Sequence, residues 1–232
     1  MQIIWLLVLA HLLTDFTFQT NIIAEWKRRS SLGGIVHSGI FFVCAVILCY
    51  PSLGIVWVQP FATVALNGWE TLIVLSTLHF IEDAWRVWTI QKMHSPDSFF
   101  FFLLDQFIHL SFIVALSPKD SGGSVAPWVL GAILFILVTH FSSVFIYFME
   151  KDVFGKSALL SNTKYYFMFE RLMVAGALQL PGLTAFGSVL GIWVIHAIIF
   201  RLRKQDRFSL FNAIAGNGMA LAFGLIARHI LH

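Results

Sequence analysis

Long apolar runs separated by short polar breaks dominate the chain. Taken run by run, they predict eight helices, at roughly 2–24, 33–50, 68–91, 98–117, 127–149, 164–180, 183–202 and 208–230. Each approaches the ~20 residues that cross a bilayer. Pro51, Pro96, Pro118 and Pro127 fall at edges, where proline stops or starts a helix. Residues 52–66 are apolar but short and contain Pro60, which predicts a re-entrant or interfacial segment. Ser121-Gly-Gly-Ser124 marks the plainest loop. The pattern predicts an all-α fold. It is a single polytopic transmembrane helical bundle over 1–232, with a His/Asp-bearing half at 1–117 and supporting helices at 118–232.

Composition sharpens this picture. The 232 residues are 58% hydrophobic and 12% charged, about half the charged share of a globular chain. Mean hydropathy is +0.82. A soluble domain is excluded. The N-terminus lacks the basic stretch of a secretory signal, so the first run reads as a permanent span. Cys44 and Cys49 lie in one apolar run, which fits packing and excludes a disulfide framework.

Charge then supplies an orientation. With the N-terminus outside, the inside loops hold Lys27, Arg28, Arg29, Arg86, Lys92, Lys151, Lys156, Lys164, Arg201, Arg203, Lys204 and Arg207, twelve of the 15 basic residues. Lys119 and Arg228 fall outside and Arg171 within a span. This asymmetry follows the positive-inside rule and predicts both termini outside. It also accounts for the basic balance without a nucleic-acid partner. Membrane lipids are the expected surroundings, at the bacterial inner membrane. Trp26, Trp128 and Tyr165 suit interfacial belts, and Phe99–Phe102 reads as lipid-facing.

The informative residues interrupt the apolar runs. His11 and Asp15 lie in the first helix, His79 and Asp83 in the third, Asp105 and His109 in the fourth, and His37 in the second. Three His/Asp pairs therefore recur at i, i+4, each on one helix face. In the reversed fourth span the order within the pair is reversed too. All carboxylates then point toward the cytoplasm and all imidazoles toward the midplane. Ionised groups there cost on the order of 2.5–3.5 kcal/mol each, which argues for a functional site. Imidazole and carboxylate on adjacent turns can chelate a cation. The expected cofactor is a divalent metal, zinc first, with iron or manganese open. Its candidate ligands are His11, Asp15, His37, His79, Asp83, Asp105 and His109. These exceed one tetrahedral ion, so either two metals bind or some residues support the ligands.

Weaker candidates surround this set. Gln19 could line the cytoplasmic entrance or cap its helix, and Arg171, beside Glu170, could reach an anionic substrate or form a structural ion pair. Glu82 adjoins Asp83 on a different face and reads as a base or a snorkelling side chain. His140 and His196 read as packing or hydrogen-bonding residues.

The pattern His11-x-x-x-Asp15-Phe16-x-x-Gln19, followed by His37 and the two later pairs, resembles a bacterial family of multi-pass membrane proteins of unknown function. Glu170-Arg171 and the basic stretch Arg201–Arg207 extend the resemblance along the chain. The family is similar in style to predicted membrane-bound metal-dependent hydrolases. That resemblance implies a metal-dependent hydrolase; burial of the site points to an amphiphilic substrate, and whichever of Asp15, Asp83 and Asp105 is not a ligand is the expected catalytic base. A proton- or ion-coupled transporter and a protein with a structural metal remain the alternatives.

Overall fold

The computed structural model describes residues 3–61, 63–119, 125–155, 163–203 and 210–231. The Ser121–Ser124 loop and Lys156, Lys204 and Arg207 lie outside the described residues, as do the side chains of Lys164, Arg201 and Arg203. Two compact units divide the chain, Met1–Ile133 and Leu134–His232.

In the first unit, helix α1 (Ile3–Leu12) continues into a π-helical turn, Leu13–Phe18, that carries Asp15. A break at Gln19–Thr20 turns the chain by 95° into α2 (Asn21–Arg29). Thr20 caps α2 by accepting from the Ile23 N–H at 3.3 Å, satisfying one of the free donors of its first turn. Helix α3 (Ser31–Cys49) follows, its N-cap Ser30 accepting from Leu32 N–H. Gly33 on α3 sits directly against α2, and a Cβ there would overlap the backbone of Trp26 and Lys27.

After Pro51 the chain forms strands β1 (Val56–Phe61) and β2 (Val64–Asn67), an antiparallel hairpin in the register Val56↔Asn67, Val58↔Leu66 and Phe61↔Val64. The segment expected as re-entrant or interfacial over 52–66 therefore contains strands, which corrects the all-α class. The fold is mostly helical with one hairpin. Valines and aromatics at alternate positions favour the strand pair. Asn67 and Glu70 then form a reciprocal cap that starts α4 (Gly68–Lys92). Helix α5 (Phe99–Leu116) completes the bundle around the site.

The second unit contains α7 (Ser142–Phe154), α8 (Thr163–Ala177), α9 (Thr184–Arg203) and α10 (Leu210–Leu231). Helix α6 (Pro127–Ile136) leads through a π-helical turn, Leu137–Phe141, into α7. A small core of Val174, Ala177, Leu178, Val189 and Ala220 joins α8, α9 and α10.

The expected eight spans are not met. Among the described residues, four helical segments are long and apolar enough to cross a membrane: Ser31–Ser52, Phe99–Leu116, Pro127–Phe154 and Phe211–Ile230. A fifth is reached if the bent pair Ile3–Phe18 and Asn21–Arg29 counts as one span. The reasons are physical. Helix α4 has the length but carries Glu70, Glu82, Asp83, Arg86 and Lys92. Helix α8 is 15 residues long and contains Glu170 and Arg171. The apolar part of α9, Thr184–Ile199, is too short.

A candidate metal centre in the first unit

Each functional side chain owes its position to helix periodicity. His11 and Asp15 project from α1 and its π-helical turn, His37 from α3, His79, Glu82 and Asp83 from α4, and Asp105, Gln106 and His109 from α5. The structure brings all seven expected ligands into one cluster. His11, Asp15, His37, His79, Asp83 and His109 are buried, and Asp105 is half-buried. The imidazoles cluster ring against ring. Ring centroids of His79 and His109 lie 4.2 Å apart, those of His11 and His109 5.2 Å, and those of His37 and His79 5.1 Å. Phe41 stacks on His79 at 5.3 Å and closes one side.

The carboxylates lie against the same rings. Asp15 Oδ1 lies 3.2 Å from His37 Nε2 and 3.4 Å from His79 Nε2. Asp83 Oδ2 lies 3.6 Å from each of the same two nitrogens. All four atoms are buried and have no hydrogen-bond partner. A buried polar atom without a partner costs about 1–3 kcal/mol, so four facing one another demand an explanation. Tetrahedral bonds of about 2.0–2.1 Å place neighbouring ligand atoms about 3.3–3.4 Å apart. The observed separations bracket that edge, so these residues fit a divalent cation.

Asp15 also faces a second group of residues through its other oxygen. Its Oδ2 accepts from Gln106 Nε2 at 3.1 Å and lies 4.0 Å from His109 Nδ1. Asp105 Oδ2 accepts from the same amide at 3.0 Å and lies 3.9 Å from His109 Nδ1. Both sets, Asp15/His37/His79 and Asp15/Asp105/His109, could hold a metal ion, as could His11/His79/His109 and Glu82/Asp83/His109. A small cavity of about 10 Å³, room for a single water, opens on the imidazole side between His11, His79, His109 and the apolar Phe41, Leu75, Phe112 and Ile113.

Three residues in the cluster were not counted among the ligands or catalytic residues. Lys27 reaches from α2 and donates to Asp83 Oδ1 at 2.7 Å. Its place in the sequence reads as a loop charge, although a buried carboxylate calls for a cation. Gln106 ties Asp15 and Asp105 together and contacts His11 Nε2 at 3.1 Å. Glu82 places Oε2 3.1 Å from His109 Nε2. Their sequence signal was the i, i+3 spacing of Glu82 from His79 and of Gln106 from His109, which shares a face as i, i+4 does.

The weaker candidates fall elsewhere. Gln19 is half-buried at the α1–α2 break, its Oε1 unpartnered. Arg171 lies in the second unit, donating to Phe167 O at 3.2 Å and Ser143 Oγ at 2.5 Å. Beside it, Glu170 faces His196 Nδ1 at 2.9 Å and accepts from Asn217 Nδ2 at 3.1 Å. His140 contacts Thr139 Oγ1 at 3.1 Å. The Phe99–Phe102 run divides: Phe100 is exposed, whereas Phe102 is buried edge-on against Phe16.

No curated protein and no solved structure matches the chain. One family model does, the DUF3307 proteins of unknown function, over residues 3–128. That match takes in α1 to α5 and every member of the cluster, and it stops short of Glu170, Arg171 and the basic stretch that had seemed to extend the resemblance. The chain therefore belongs to the DUF3307 family, proteins of unknown function.

Proposed function

We propose that the first unit is a membrane-embedded divalent-metal centre that hydrolyses an ester or phosphoester of an amphiphilic substrate. The observation that carries this reading is the buried set Asp15/His37/His79, with Asp15 Oδ1 3.2 and 3.4 Å from the two Nε2 atoms and Asp83 Oδ2 3.6 Å from each of the same nitrogens. A bound divalent cation supplies Lewis acidity and lowers the pKa of water.

The chain's own residues do the rest. Asp15, His37, His79 and Asp83 hold the ion. Lys27 fixes the free oxygen of Asp83, and Gln106 orients Asp15, as supporting hydrogen bonds do at other metal sites. The close contact of Glu82 with His109 allows a proton to be held or passed between them. Asp105, half-buried and tied to Gln106, is the carboxylate nearest to a general-base role. The apolar walls around the imidazole-side cavity limit water to the site.

The membrane setting follows from α4. Trp69 near its start and Trp85 and Trp88 near its end are exposed. The 19 steps from Trp69 to Trp88 span about 28 Å at 1.5 Å per residue, close to the ~30 Å hydrocarbon thickness. We infer that α4 crosses the bilayer beside α3 and α5, its Glu82 and Asp83 turned into the bundle. His79 then lies near mid-depth. Lys27, Arg28, Arg29, Arg86 and Lys92 gather at the carboxylate end, which assigns that end to the cytoplasm of a bacterial inner membrane.

The test is elemental analysis of the purified chain, stripped and reloaded with zinc, manganese or iron, followed by ester and phosphoester turnover. One or two equivalents of metal with metal-dependent turnover are expected. Failure to retain any divalent metal would end the reading.

A further inference from the structure

We propose that Lys27 and the helix that carries it select an anionic, phosphate-bearing lipid from the leaflet in which α2 lies. This rests on the metal-centre reading and adds the substrate class.

Helix α2 leaves α1 at 95°, and none of its residues is buried. A helix running at right angles to a span lies along the membrane surface. Its composition suits that place: Ile22 is 78% exposed and Trp26 41%, while Arg28 and Arg29 extend outward. An amphipathic segment with aromatic and basic residues settles at the boundary between headgroups and acyl chains. Gly33 fixes its position, because α2 packs where a Cβ would stand.

Lys27 breaks this pattern. Its side chain is 16% exposed, against 62% and 75% for Arg28 and Arg29, and it runs into the bundle to Asp83. Among the described residues it is the lysine or arginine in contact with the cluster. Asp83 takes one of its three N–H donors, leaving two for an incoming anion. The carboxylates of Asp15, Asp83 and Asp105 would repel a bare anion, so a negative group approaches by way of Lys27 and the cation beyond it.

Depth decides the kind of anion. Asp83 precedes the exposed Trp88 by five residues, about 7–8 Å along the helix. That is the level of the headgroup–acyl boundary, 5–10 Å deep. The approach is rimmed by exposed Trp26, Trp85 and Trp88 and by Arg28 and Arg86, which Asp97 draws together at 3.7 and 3.8 Å. Such a rim is apolar enough to admit an acyl-bearing molecule and basic enough to gather acidic headgroups.

Manganese supplies the test, because it relaxes phosphorus nuclei close to it. The full chain, loaded with Mn2+ and washed, is placed in nanodiscs of equal phosphatidylglycerol and phosphatidylcholine, and the 31P relaxation of each lipid is measured. Phosphatidylglycerol is expected to show about fivefold more enhancement than phosphatidylcholine, the weight of one basic residue at an anionic leaflet. Lys27→Met should bring the two lipids to near parity, and Lys27→Arg should restore the difference. Equal relaxation of both lipids by the native chain overturns the proposal, whatever the variants do. So does selectivity that survives Lys27→Met but is lost in an Arg28→Gln/Arg29→Gln double variant, which would make α2 a general surface anchor. Relaxation of added inorganic phosphate as strong as that of the lipid would assign the site to a soluble anion instead. A chain that retains no Mn2+ by elemental analysis fails at the earlier step and takes this proposal with it.

Discussion

Two buried carboxylates, Glu170 in the second unit and Asp15 in the first, are satisfied in different ways. In the second, Glu170 has both oxygens engaged, one by His196 at 2.9 Å and one by Asn217 at 3.1 Å. Asn217 in turn accepts from Trp193 Nε1 at 2.8 Å, and Tyr166 OH lies 3.3 Å from His196 Nδ1. In the first unit, Asp15 Oδ1 lies 3.2 and 3.4 Å from His37 Nε2 and His79 Nε2, and Asp83 Oδ2 3.6 Å from each, with no well-formed hydrogen bond completed among them. Both arrangements pay a desolvation cost. Glu170 recovers it from its neighbours, as a structural network does. The four atoms of the first unit recover it only from something that binds all of them. The difference teaches that buried charge alone does not mark a site. Unpaired donors and acceptors at ligand spacing do.

The largest break in this comparison comes from Asp15, which presents one oxygen to His37 and His79 and the other to Gln106 and His109. Asp15→Ala should abolish turnover and lower metal content more than any other single change, and Asp83→Asn should follow closely. Asp105→Asn, which touches only the second set, should remove less metal. Both Asp15 and Asp83 variants should still reach the membrane, because helix insertion depends on apolar residues and closed backbone hydrogen bonds. Elemental analysis beside size-exclusion of the extracted protein checks this. Aggregated variants would point to a structural metal, whose binding energy is folding energy. Stable variants with full metal content would remove these residues from the ligand set.

Gln106 gives a smaller effect. It holds the Asp15 and Asp105 oxygens but offers no charge, so Gln106→Leu should weaken metal affinity by about 10–100-fold without removing the site. Competition with a chelator of known affinity measures it. An unchanged affinity would show that Asp15 needs no positioning.

Metal itself should stabilise one unit. Ligand at about 1,000 times its dissociation constant adds about 4 kcal/mol to the folded state that binds it. Thermal unfolding followed by amide exchange should show added zinc or manganese protecting α1, α4 and α5. Protection confined to α8–α10 would contradict the comparison.

How much of this was legible in the sequence varies by residue. The i, i+4 spacing of His11/Asp15, His79/Asp83 and Asp105/His109 placed each pair on one face, and the structure gathers those faces. The π-helical turn that carries Asp15 left no pattern to read, since an extra residue in a turn changes direction without changing composition. Lys27 was hidden for a related reason: the 95° break after Phe18 redirects it from a loop to the core, and bend angles are not written in hydropathy. The run at 68–91 has the length of a span but not its apolarity, because α4 carries charges that need the bundle interior, whereas charge and length rule out the runs at 164–180 and 183–202 as plain spans in α8 and α9. The hairpin was missed because an apolar run of that length fits a strand or an interfacial segment equally well.

The smallest expected effect on the metal centre is none at all, from Glu170→Gln. The amide keeps the shape of the side chain and an oxygen to accept from Asn217, but loses the charge that faces His196. A hydrogen bond to a charged group is worth about 1.5–3 kcal/mol, so the variant should unfold a few degrees lower. Metal content and turnover should match the native chain, because the hydrogen-bond and ion-pair partners given for the ligand set belong to the first unit among the described residues. A double variant with His196→Ala should lose little more than either single change, since the two side chains share one interaction. Lower stability with unchanged metal would confine Glu170 to holding its own unit together. Lost metal with unchanged stability would mean that the second unit serves the site, and the contrast between paired and unpaired buried charge would no longer separate structure from function in this chain.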